Sequence, residues 1–124
     1  MNGINKFKPV ILLSLHSDAF TKESANGWSA FTYYGETKSD KVATILYEEA
    51  KKARLKLRTD FSDGDPDKEA NFYILRKTNC PAVLIENLFM TNKKDYQFLM
   101  SEKGQNKLAK MIFKAIQRIE KENI

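Results

Sequence analysis

The 124-residue chain has one histidine, one cysteine and one tryptophan, and only three prolines and five glycines. Each shortage excludes something. A single cysteine, Cys80, excludes an internal disulfide and cannot build a cysteine zinc cluster. It precedes Pro81 between two apolar segments, so a buried or turn thiol is expected there rather than a nucleophile. No apolar run approaches the roughly 18 residues that a bilayer span needs, and no membrane partner is expected. Met1 to Lys8 is polar and the apolar run after it is short, so no targeting signal is expected in this chain. There is no phosphate-cradling glycine loop and no low-complexity tract.

What remains is ordinary globular material, 42% hydrophobic and 30% charged, with a net charge of +5. The length suits one domain, residues 1–124, with a core of modest size. The positive charge favours anionic surfaces without choosing among nucleic acid, anionic cell-wall polymer and acidic lipid. Most of it comes from lysines scattered over expected helices, which reads as a solvated basic surface. The aromatic segment Trp28 to Tyr34 contains no basic residue, so nucleic acid is not the expected partner.

Along the chain, Val10 to Leu15 is a continuous apolar run, the pattern of a strand covered on both faces. Asn26-Gly27 is a turn signal, and Trp28 to Tyr34 reads as a strand closed by Gly35. Ser39 is the expected N-cap of a helix reaching about Leu57, with Val42, Leu46, Ala50, Ala53 and Leu57 on one face. Glu48 is spaced to pair with Lys52 on the opposite side. Thr59 to Asn71 reads as a loop, and Phe72 to Leu75 and Ala82 to Ile85 as short strands. Asn92, with Asp95 three residues on, opens a short helix with a capping-box-like pattern. Ser101 precedes a final helix whose core face is Leu108, Ile112, Ala115 and Ile119. The order points to an α/β fold, a mostly parallel mixed sheet flanked by helices. A doubly covered strand normally has neighbours and a helix before it. Here almost nothing precedes it, which suggests a domain that is N-terminally incomplete.

Two residues carry most of the chemical interest. His16 ends the first apolar run, and Glu86 directly follows Ala82 to Ile85. The ends of buried strands are where α/β folds place ligands and catalytic groups. A carboxylate placed after four apolar residues is partly desolvated, which suits general acid/base work. If the two strands are parallel, both side chains emerge along one edge. An imidazole-held metal beside a proton-accepting carboxylate is a standard way to attack an amide. Ser14, His16 and Asp18 lie on one segment and cannot converge as a hydrolytic triad. Asp63-Gly64-Asp65-Pro66-Asp67 hints at a calcium loop but lacks the required glycine and distal glutamate.

The segments around these residues resemble a known family. Ser14-Leu15-His16-Ser17-Asp18-Ala19 is similar to the histidine motif of the zinc-dependent N-acetylmuramoyl-L-alanine amidases of the amidase type 3 family. Leu75 to Thr78, Pro81 to Glu86 and Phe89 to Asn92 resemble its later segments, in the same order, and Gly27-Trp28 leading to Tyr33-Tyr34 its strand after the histidine. The resemblance covers nearly the whole chain, from about Asn5. It implies a zinc hydrolase that cuts the amide between N-acetylmuramic acid and L-alanine in peptidoglycan, at the cell wall or in the periplasm. It also implies that His16 is a zinc ligand and that Glu86 is the catalytic base and acid. Tyr33, Arg76 and Asn87 lie near these elements as candidate substrate-groove residues.

The chain departs from the family at the other two ligands, a histidine in a glycine-rich loop and a glutamate on a helix, both ahead of the segment that His16 matches. Only 15 residues precede His16, with no second histidine and no acidic residue. Catalytic zinc takes three protein ligands. The competing expectation is therefore a non-catalytic remnant or a cell-wall glycopeptide-binding module. An uncovered sheet edge is also expected, and with it a homodimer.

Overall fold

The computed structural model describes residues 2–35, 37–59 and 66–124. At its centre is β4, Ala82–Phe89, with every residue buried. It pairs in parallel with β1, Leu12–Asp18, and antiparallel with β2, Trp28–Thr32. A two-residue strand, β3 (Lys68–Glu69), pairs in parallel with β2. Among the described residues these form one mixed sheet in the order β1-β4-β2-β3.

Alternation along the strands divides the sheet into two unlike faces. Leu13, Val83, Ile85, Trp28 and Ala30 join the main core, against α2 (Lys38–Lys52) and α5 (Glu102–Lys121). Trp28 lies edge-on to Tyr47 with ring centroids 4.9 Å apart, and both are buried. The opposite face carries Leu12, Ala82, Leu84 and Phe31, covered by Ile74 and Leu75 of α3 (Tyr73–Lys77). This second cover is short and stops before the C-terminal ends of β1 and β4. A short α1 (Asn2–Phe7) precedes β1, and α4 (Lys93–Met100) links β4 to α5.

Several expectations are corrected. Phe72 to Leu75 is not a strand: Phe72 caps α3, its carbonyl accepting from the Leu75 and Arg76 N–H groups. Val10 to Leu15 is not covered on both faces. β1 is an edge strand here, with Val10 75% and Leu15 57% exposed. Thr37, not Ser39, caps α2. It forms a capping box with Asp40, while the Ser39 hydroxyl accepts from the Ala82 N–H.

Helix α2 stops at Lys52, short of Leu57, in a Schellman arrangement. Arg54 takes the left-handed conformation (φ 62°), the Leu55 N–H bonds the Ala50 carbonyl and the Arg54 N–H that of Lys51. Lys52 then pairs with Glu49, at 3.1 Å, rather than with Glu48, which Arg118 of α5 takes at 2.8 Å. Asn92 caps α4 as expected, but Asp95 does not return the bond. Its Oδ2 accepts instead from the N–H groups of Gly27 and Phe89. Of the calcium-like stretch, residues 63–65 lie outside the described residues.

Candidate active site

His16 and Glu86 are register partners on the parallel strands β1 and β4, so they stand side by side on the face that α3 leaves partly uncovered. Both lie within their strands rather than at the exits, because β1 runs on to Asp18 and β4 to Phe89. On the other flank of β4, Ser29 is the antiparallel register partner of Glu86. Glu86 is only 9% exposed, whereas His16, on the edge strand, is exposed. A hydrogen bond of 2.8 Å joins His16 Nε2 to Ser14 Oγ, two residues back on the same face.

A β-bulge shapes the site. One residue of β1, Ser17, faces two of β4, Asn87 and Leu88, before the register resumes at Asp18 and Phe89. Leu88 carries the strain, at φ 69°, where a non-glycine residue is uncommon. The extra residue sends Leu88 into the main core and returns Phe89 to the face of Glu86. Ser17 Oγ braces the bulge by donating to the Asn87 carbonyl at 3.0 Å.

Glu86, Ser29 and Phe89 therefore line one open cleft of about 170 Å³, together with Phe20, Phe31, Arg58 and Lys68. Two cations lie over aromatic rings here: Arg58 Cζ is 4.9 Å from the Phe89 centroid, and Lys68 Nζ 5.7 Å from that of Phe31. A buried carboxylate, a neighbouring hydroxyl and apolar walls give a setting in which a proton can be exchanged with a polarised amide.

The remaining sequence candidates do not gather there. Asn87 faces the main core, where its Oδ1 accepts from Trp28 Nε1 at 3.0 Å. Tyr33 follows the end of β2 opposite Ser29, exposed beside Tyr34. Arg76 is exposed on α3, over the Tyr73 ring and 3.4 Å from Asn71 Oδ1. Cys80 is half-buried, and burial pushes its thiol pKa up, away from nucleophilic use. Arg58 and Ser29 belong to no motif that the sequence singles out. The alternation Leu55-Lys56-Leu57-Arg58 is a period-two signal that places Arg58 on an extended segment, whereas the expected helix runs to about Leu57.

The described residues do not complete a zinc site. His16 is the chain's one imidazole. Among the described residues, the group of three metal-capable side chains is Asp40, Asp67 and Glu69, with ligand atoms within 4.8 Å of one another. It lies elsewhere, bound into local structure. The Thr32 hydroxyl is shared by the Asp40 and Asp67 carboxylates, and the Thr37 and Gly35 N–H groups are donated to Asp40 and Glu69. An all-oxygen set of this kind suits hard cations better than catalytic zinc.

The family model for N-acetylmuramoyl-L-alanine amidase, Amidase_3, matches residues 1–118. The germination-specific N-acetylmuramoyl-L-alanine amidase of Bacillus subtilis (strain 168) is 25% identical over 115 residues, 93% of this chain and 46% of that protein. The amidase LytC of the same organism is 31% identical over 103 residues, covering 82% of this chain and 20% of LytC. The CwlD amidase of Clostridioides difficile, solved in complex with the GerS lipoprotein, superposes with a TM-score of 0.79 at 28% identity. That match covers 93% of this chain and 56% of CwlD. The catalytic domain of CwlV from Bacillus (Paenibacillus) polymyxa var. colistinus shares the fold, with a TM-score of 0.81 at 24% identity, over 94% of this chain and 61% of that one. The chain thus spans about half the length of the germination-specific amidase and of CwlD, 46% and 56% respectively. With a family model covering nearly all of it, this chain belongs to the Amidase_3 family of N-acetylmuramoyl-L-alanine amidases.

Proposed function

We propose that this chain acts in hydrolysis of the amide between N-acetylmuramic acid and L-alanine in peptidoglycan, with Glu86 as general base and then general acid. The observation that carries the reading is the register pairing of His16 with the buried Glu86, beside a cleft, in a chain of this family. Glu86 would take a proton from the attacking water and deliver it to the alanine nitrogen as the C–N bond breaks. The apolar rings of Phe31 and Phe89 line the cleft beside Glu86 and would lower the local polarity around its carboxylate.

His16 enters the proposal as one ligand of the family's zinc. Its Nε2 is engaged with Ser14 Oγ at 2.8 Å, a hydroxyl that can serve either imidazole tautomer, and in the tautomer protonated at Nε2 the Nδ1 lone pair would be left for the metal. The described residues do not supply the other ligands, so the chemistry assigned to this chain is that of Glu86 and its cleft. Tyr33, Arg76 and Asn87 are not given substrate contacts: their positions support roles on the surface and in the core. The domain assignment, residues 1–124 as one unit, is part of the same proposal, as is action at the cell wall or in the periplasm. No helix among the described residues is long and apolar enough to cross a membrane. The exposed edge of β1 is proposed as a surface for self-association.

The incomplete donor set favours a second reading, a glycopeptide-binding module without turnover. One experiment separates the two. Purified sacculi are incubated with the chain and zinc, and new amino groups and new reducing ends are measured. Amino groups bearing N-terminal alanine, without reducing ends, are the expected products. Retained binding to sacculi without either product favours the second reading.

A further inference from the structure

Arg58 is held in the cleft far more firmly than an ordinary surface arginine. Its N–H donates to the Trp28 carbonyl at 2.7 Å and its carbonyl accepts from the Tyr47 hydroxyl at 2.6 Å, so the backbone is fixed on both sides. The guanidinium lies over Phe89, and Nη1 donates to the Asn26 carbonyl at 3.3 Å. Among the described residues that is its one side-chain hydrogen bond, and none of the ion pairs includes it. Most of the five N–H donors of a guanidinium therefore remain for something else. The fork matches a carboxylate, which it binds in a bidentate manner.

The cleft is small. It has a volume of about 170 Å³, and Arg58 and Glu86 are both among its lining residues. Because both side chains line it, a group bound by Arg58 and an amide poised at Glu86 fit on one ligand. We propose that Arg58 is a specificity residue that binds the free α-carboxylate of the residue following the alanine in the substrate peptide. This inference rests on the amidase reading above, and it names the chemical class of peptide that the cleft takes: acidic, and not amidated next to the cleaved bond.

The test is a calorimetric titration of the full chain with N-acetylmuramyl-L-alanyl-D-glutamate and with its α-amide, which differ only in that carboxyl group. The wild-type chain is expected to bind the acid about tenfold more tightly. Arg58→Gln should weaken binding of the acid by about the same factor, leave the amide unchanged and so abolish the preference. Arg58→Lys, which keeps the charge but not the fork, should retain part of it. Lys56→Gln, which removes an exposed charge two residues away, should leave it intact. Equal binding of acid and amide by the wild-type chain overturns the inference and leaves the amidase reading standing, whether or not Arg58→Gln folds. A preference that survives in Arg58→Gln does the same. Failure of the wild-type chain to bind either compound contradicts both.

Discussion

His16 and Glu86, seventy residues apart in sequence, occupy the same register position on adjacent parallel strands. The imidazole sits on the exposed edge strand and the carboxylate on the buried central one, so the two differ sharply in solvent access while sharing one face. That asymmetry suits a ligand at the rim and a proton acceptor beneath it.

One consequence concerns metal content. A lone imidazole holds zinc weakly, since catalytic sites use three protein ligands. After dialysis at neutral pH the chain is expected to retain well under one zinc per molecule by elemental analysis. Stoichiometric zinc that survives dialysis and disappears in His16→Ala would contradict this and establish a complete site.

Tyr47 gives a pH signature. Burial is the main cause that pushes its pKa from 10.0 up to about 12, partly offset by the hydrogen bond from the Ala30 N–H. A folded-state pKa above the unfolded value contributes stability that is complete below about pH 10 and is lost as the pH rises toward 12. Denaturant melts should therefore show stability falling across that window. Tyr47→Phe should remove this component and cost about 1–3 kcal/mol at neutral pH, because the Arg58 carbonyl and the Ala30 N–H lose their partner. An unchanged alkaline slope in the variant would refute the assignment.

The junction of α4 and α5 tolerates no side chain at Gly104. A Cβ there would lie 1.9 Å from the Phe98 carbonyl oxygen. The close approach comes from Ser101, whose hydroxyl accepts from the Gly104 N–H while donating to the Phe98 carbonyl. Gly104→Ala is expected to destabilise the chain by about 3 kcal/mol. A melting temperature equal to wild type would show that the helices separate at little cost.

The edge of β1 bears on association. Leu15 is exposed on an edge whose outer backbone groups face no other strand among the described residues. Sedimentation velocity should reveal concentration-dependent dimers, reduced in Leu15→Lys. A monomer at all concentrations would remove self-association from the account.

The two strands that matter most were legible in sequence because their apolar runs are continuous, and Ser101 and Asn92 announce their helices through ordinary capping chemistry. Other features were hidden for identifiable reasons. Arg54 ends α2 in a conformation usually given to glycine, so nothing in its residue type marked the stop. Phe72 to Leu75 is apolar enough for a strand, but it covers the sheet as one turn of helix. The bulge at Leu88 could not be read from an unbroken apolar segment, and with it went the knowledge that Asn87 turns to Trp28 while Phe89 returns to Glu86. Arg58 falls between the expected helix, which ends at about Leu57, and the expected loop from Thr59, so neither pattern marks it.

In the proposed reaction Glu86 moves the proton in cleavage of the muramyl amide. The most direct test of that role is the rate at which N-terminal alanine is released from purified sacculi, with zinc added, by wild type and by Glu86→Gln, the fold of both checked by circular dichroism. Release is expected from wild type, with a loss of about a hundredfold or more in the variant, the scale of general acid/base catalysis. Equal release by the two proteins would contradict it.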